Sequence, residues 1–214
     1  MNMDAFNELL APRAQGNRFY GVVVGVVTNN QDPDSMHRVK VRFPWLNNDV
    51  ESNWARVASP MAGPDRGVYY LPEVDDEVLV AFEHGRVDHP YVLGSLWNGK
   101  DDPPESNDNG ENNHRTIKSR SGHIVRLNDA AGSETIEIID KTGDNRIVIN
   151  TAQNSITIEA NSDITIKSAT GKLTMEANGI ELKSQAGITA QAALSLDLKA
   201  NAQVTVKGAT IHLN

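Results

Sequence analysis

The 214-residue chain contains no cysteine, which excludes disulfides, thiolate metal sites and thiol chemistry. No apolar run approaches the roughly 20 residues that span a bilayer. The opening stretch MNMDAFNELLAPRAQG lacks a basic segment followed by an apolar one, so no signal peptide is expected. Basic residues are scarce as well: 20 Lys and Arg stand against 28 Asp and Glu, a formal charge of −8. A surface that gathers phosphates needs the reverse balance, and nucleic acid is not an expected partner.

Two further absences are local. Every Phe, Tyr and Trp lies at or before Trp97, and every Pro at or before Pro104. Two building rules meet near residue 100, and a domain boundary is expected there.

Before the boundary the chain reads as short strands. FYGVVVGVVTNN is rich in β-branched residues and ends in a turn-forming Asn pair. In HRVKVRFPWL, Val39, Val41 and Phe43 share one face and Lys40 and Arg42 the other, a half-buried strand stopped by Pro44. SNWARVASP gives another short strand. GVYYLPEVDDEVLVAFEHG gives two more around a turn at Asp75 and Asp76, the second with Val78, Val80 and Phe82 on one face. HPYVLGSLWNG closes the set. Five or six short strands in about 80 residues, with no long helical pattern, predict a small barrel of the OB type.

The segments GVVVGVVTNNQDPDSMHRVKVRFPWL, SNWARVASPMAGPDRGVYYLPEVDDEVLVAF and HPYVLGSLWNG also resemble the OB domain of the phage baseplate assembly protein V family, which recurs in VgrG spike proteins of type VI secretion systems. The resemblance covers residues 19–104. It departs at Met36-His37, where the family often has Gly, a difference that bears on a turn. OB barrels often bind oligonucleotides or sugars. Here Trp45 and Trp54 sit near Pro, Val and Leu and are expected in the core or at a subunit contact, so the barrel is read as a structural collar.

Residues 98–122, NGKDDPPESNDNGENNHRTIKSRSG, read as an exposed polar linker. Some spikes resembling this chain carry a lysozyme domain at this point. A gap of about 20 residues is too short for one.

Beyond the linker apolar residues come in doublets: Ile147/Ile149, Ile156/Ile158, Ile164/Ile166, Leu173/Met175, Ile180/Leu182, Ile188/Ala190, Leu196/Leu198, Val204/Val206 and Ile211/Leu213. The step is mostly eight residues, occasionally seven or nine. The two apolar side chains of a doublet leave the same face of a short strand, and the residue between them (Thr157, Thr165, Thr174, Glu181, Asp197, Thr205) points outward. Small and polar residues separate the doublets and suit corners. Ordering one octad costs on the order of 8–16 kcal/mol of backbone entropy. Two buried apolar side chains return about 3–6 kcal/mol, and ladder hydrogen bonds add about 0.5–1.5 kcal/mol each. The sum approaches zero only if every strand is paired and every apolar face covered.

One octad reaches roughly 26 Å, a side and a corner of a triangular tube. Three octads of one chain could form each coil of a monomeric β-helix, or three chains could each supply one octad per layer. Periodicity leaves both open, although a stack of only three coils would expose its ends. The resemblance favours three chains, because spikes of this kind are trimeric needles of intertwined strands below an OB collar; SGHIVRLNDAAGSETIEIIDKTGDNRIVIN resembles their lead-in from collar to needle. The expected fold is all-β: a docking segment (1–18), an OB collar (19–104), a linker (105–122) and an intertwined triple-stranded β-helix formed by three chains (123–214). The doublet residues, Ala190 excepted, form its axis. Six Lys and Arg against five Asp and Glu over residues 146–214 leave the shaft nearly neutral.

The remaining chemistry is sparse. Some relatives carry a His-x-His pair that holds a metal on the axis; here only His212 is present, in an outward position, and no metal or cofactor is expected. Glu83, His84, Asp88 and His89 come from one loop and read as solvated. No phosphate loop or nucleophile motif occurs, so no enzyme is expected. The resemblance implies a homotrimeric central spike of a contractile injection apparatus. Phe6, Leu9 and Leu10 would dock to a hub protein, and Ile211, His212, Leu213 and Asn214 to a PAAR-type tip protein. The target membrane would be met mechanically, after assembly in the cytoplasm. The alternatives are an OB-fold oligosaccharide- or nucleic-acid-binding protein on a repeat stalk, and a polysaccharide-processing β-helix enzyme. The latter would need longer coils and clustered acids.

Overall fold

A computed structural model describes residues 18–46 and 50–212. Phe6, Leu9 and Leu10, and Leu213 and Asn214 at the other end, lie outside the described residues. The chain divides into two units, residues 1–161 and 162–214.

The first unit opens with β1 (Val22–Asn29), β2 (Arg38–Arg42), β3 (Ala55–Val57), the small hairpin β4 (Ala62–Gly63) and β5 (Arg66–Gly67), β6 (Glu77–Phe82) and β7 (Pro90–Ser95). Five of these close a barrel in the order β1-β2-β3-β7-β6. Every barrel pair is antiparallel except β3–β7, which is parallel. That order with that one parallel contact is the OB arrangement. The alternation in the sequence decides which side chains go in. Val39 and Val41 from β2, Val78, Val80 and Phe82 from β6, and Val27, Phe43, Ala55 and Val92 form the buried core. Phe19 closes one end, its ring 6.0 Å from Phe82 and edge-on to it.

The loop from β1 to β2 is held by Asp32. Its carboxylate accepts from Arg38 Nε at 2.8 Å and Nη2 at 2.6 Å, and from the backbone N–H groups of Asp34 and Met36. The Arg38 guanidinium is the largest influence on Asp32 and holds it well below the usual carboxylate range, against an opposing contribution from desolvation. Ser35 and His37 in this loop have φ of 55° and 57°. Glycine enters that region at no steric cost, whereas Ser35 and His37 are held there by the loop.

A second sheet follows: β8 (His114–Lys118), β9 (Ile124–Asn128), β10 (Thr135–Ile139), β11 (Arg146–Asn150) and β12 (Ser155–Glu159), an antiparallel meander. This corrects two expectations. The linker expected over 105–122 contains β8, because Ile117 alternates with polar neighbours and pairs opposite Val125. The stretch 123–159, expected to begin the octads, folds back on itself. Its turns carry Gly122, Gly132 and Gly143 at φ of 102°, 79° and 82°, and Asn154 at 50°. These are residues that admit the left-handed region and so close hairpins.

The second unit has no such pairing. Residues 162–212 run extended between bends at 169–171, 178, 185–186, 193–194, 201–202 and 209. Among the described residues no backbone hydrogen bond joins one octad to another. The doublets from Ile164/Ile166 to Val204/Val206 fall between bends. Leu194 stands at a bend and is fully exposed. Corner residues satisfy local backbone: Ser168 Oγ accepts from the Gly171 N–H at 3.1 Å, and Ser184 Oγ from Gly187 at 3.1 Å.

Candidate functional site

The meander is in strict register. Arg115, Leu127, Ile136, Ile149 and Ile156 lie side by side in one row, and Ile117, Val125, Ile138, Ile147 and Ile158 in another two residues away. A two-residue offset puts both rows on one face. That face holds nine apolar side chains, and every one is exposed, from 39% at Ile149 to 70% at Ile156. A trough of about 610 Å³ at one end of it is lined by Ile117, Val125, Ile138, Ile147 and Ile158, with Tyr70 from the barrel's side of the unit.

The opposite face mixes polar side chains with Ile124, Ile139 and Val148, and is better covered. Glu105, from the segment before β8, accepts from Arg126 Nη2 at 2.6 Å and Nε at 2.9 Å and from Thr116 Oγ1 at 2.6 Å, and lies 3.0 Å from His114 Nδ1. Arg126 also reaches Glu137 at 3.5 Å. The Thr116 hydroxyl, followed by Arg126 and His114, holds Glu105 at about 2, against an ordinary glutamate value of 4.5. The single chain thus half-covers the face that carries the Glu105 network and leaves the nine apolar side chains of the other face to solvent. Soluble monomers seldom leave so large a contiguous apolar patch open.

The octads repeat this condition. Ile164, Ile166, Leu173, Met175, Ile180, Leu182, Ile188, Leu196, Leu198, Val204, Val206 and Ile211 are all exposed. The structure brings Ile147, Ile149, Ile156 and Ile158 together on the sheet face and leaves the later doublets uncovered. His212 is exposed too.

Elsewhere the structure gathers less. Trp54 is not in the core. It stands half-buried on the outside of the barrel with Arg38 and Lys40 over its ring at 5.9 and 5.6 Å. Trp45 is 46% exposed against Phe19. An aromatic flanked by cations suits an OB ligand face, but Arg38 is paired with Asp32 and Asp34, and Lys40 with Glu51. In the β6–β7 loop Asp88 binds Arg86 at 2.9 Å and His89 at 3.1 Å, and the Arg86 guanidinium foremost holds it at about 2. Among the described residues no three His, Cys, Asp or Glu side chains converge as metal ligands. No described helix is long and apolar enough to cross a membrane.

Residues 23–97, the barrel, match the family model of the type VI secretion system/phage-baseplate injector OB domain. Over those residues the chain carries an injector OB domain. It is 30% identical to the type VI secretion system spike protein VgrG1a of Pseudomonas aeruginosa over 63% of its own length and 23% of that protein's. It is 34% identical to VgrG2a of the same organism over 44% of its length and 11% of the relative's. It is 32% identical to VgrG3 of Vibrio cholerae over 48% of its length and 11% of the relative's. The chain therefore spans a quarter or less of these relatives. The VgrG1a match covers more of the chain than the injector OB domain occupies, so the likeness runs into the sheet.

Sequence reasoning anticipated the later doublets but missed Val125/Leu127 and Ile136/Ile138. Their signal is a step of eleven (125, 136, 147) with a glycine in each gap, room for a strand and a hairpin turn.

Proposed function

We propose that three copies of this chain assemble as the central spike of a contractile injection apparatus, in a phage tail baseplate or a secretion-type or extracellular particle. The injector OB domain forms the collar beneath a hub protein, with Phe6, Leu9 and Leu10 on the hub side. The octads of three chains wind into a β-helix needle whose axis is filled by the doublets from Ile164 to Leu213, while Ile147, Ile149, Ile156 and Ile158 belong to the sheet face. Ile211 to Asn214 receive a PAAR-type tip protein. The spike forms in the cytoplasm and is driven out by contraction, and its work on the target envelope is mechanical, with no catalytic step.

One observation carries this reading: an injector OB domain is joined to repeated apolar doublets that, from Ile164 to Val206, are neither covered nor paired into a sheet by their own chain. Backbone and side chains both require partners of the same length and period. Identical copies supply them, and three match the reach of one octad to one side of a triangular tube. Native mass spectrometry of the whole chain tests it. The expected mass is three times that of one chain, and a stable monomer refutes the reading.

A further inference from the structure

Resting on that trimer, we infer that the β8–β12 sheet sets the register of the three chains, its apolar face packing against the same face of two further copies. The nine exposed side chains leave on the order of 800 Å² of apolar surface, the amount each partner contributes to a stable interface of standard size. The other face presents no comparable apolar patch: Ile124, Ile139 and Val148 are half-buried there beside the Glu105–Arg126–Glu137 network. The occupant is the same chain because the doublet phase continues from this face into the octads: Ile156/Ile158 is followed eight residues later by Ile164/Ile166.

The octads cannot fix their own alignment. Ile180, Ile188, Leu196 and Val204 recur at a constant step of eight. Sliding one chain by an octad lays apolar on apolar and polar on polar, so register there is weakly specified. The sheet differs in kind. Each copy pairs its strands internally through its own turns, and its apolar steps of eleven, eleven and nine do not coincide with a shift of eight. Three such faces have one common alignment, and the octads inherit it.

The absence of cysteine permits a clean test in the full chain. A spin label on Thr205→Cys, an outward position, reports one inter-label distance if all three chains are aligned. Ile136→Ser with Ile138→Ser, on the sheet face, should split that distance into several. Leu196→Ser with Leu198→Ser, in the shaft, should lower stability and keep the single distance. Pulse-labelled hydrogen exchange during refolding of the unsubstituted chain gives a second reading that needs no variant: the β8–β12 amides should be protected before those of residues 162–212. Simultaneous or reversed protection overturns the inference, as does a sheet variant that assembles with a single distance. In both cases the trimer itself stands. A monomeric unsubstituted chain overturns the trimer and this inference together.

Discussion

Glu105 ties a polar segment to the sheet through three neighbours at once, and its acid behaviour follows. Its carboxyl titrates at about 2 in the folded chain and near 4.5 when unfolded. A depressed carboxyl contributes its full stabilisation above the unfolded value and loses it as pH falls toward the folded one. The urea midpoint should therefore decline between about pH 4.5 and 2, and Glu105→Gln should flatten that decline while lowering the midpoint at neutral pH. Inside the barrel, Val80 is fully buried. Val80→Ala removes two methyl groups from a packed site and should cost on the order of 2 kcal/mol, read as a lower melting temperature of the barrel by tryptophan fluorescence. These core positions were legible in the sequence, because Val39/Val41 alternate with Arg38, Lys40 and Arg42, and Val78/Val80/Phe82 recur at every second residue of a strand. Trp54 was not. The cations over its ring come from β2, and only the strand pairing brings them there.

At the level of elements, the sheet and the octads obey one rule with two different turns. A strand followed by a turn with a residue at positive φ reverses and pairs with its own chain; a strand followed by a corner without one bends and goes on. A small barrel of short strands, the doublets and their corners could be read from spacing; the strand order could not. The meander could not be separated from the shaft, since Ile147/Ile149 and Ile156/Ile158 look the same in either and only the positive-φ turn residues distinguish them. The outward position between paired apolar residues gives a direct test. Thr174→Pro deletes one ladder N–H per chain and should abolish detergent resistance of the assembly on an unheated gel. Thr174→Val keeps the β-branch and should leave that resistance intact.

For the whole molecule, the proposed trimer would be held by contacts spread along the chain, so that no single region could open alone at low cost. Unfolding should be slow and concentration-independent, and should rise steeply with temperature. Dilution to nanomolar concentration should leave the mass unchanged over days, whereas refolding from denaturant should slow markedly as the chain is diluted.

The uncovered isoleucines of the single chain have a consequence for the cell that makes it. Before its sisters arrive, each newly made copy is an aggregation hazard, and the time it spends alone depends on how many copies are being translated nearby. Clustered ribosomes on one message, or a holding factor that masks the sheet, would shorten that exposure. A producer that lacked both would accumulate inclusion bodies in place of finished particles.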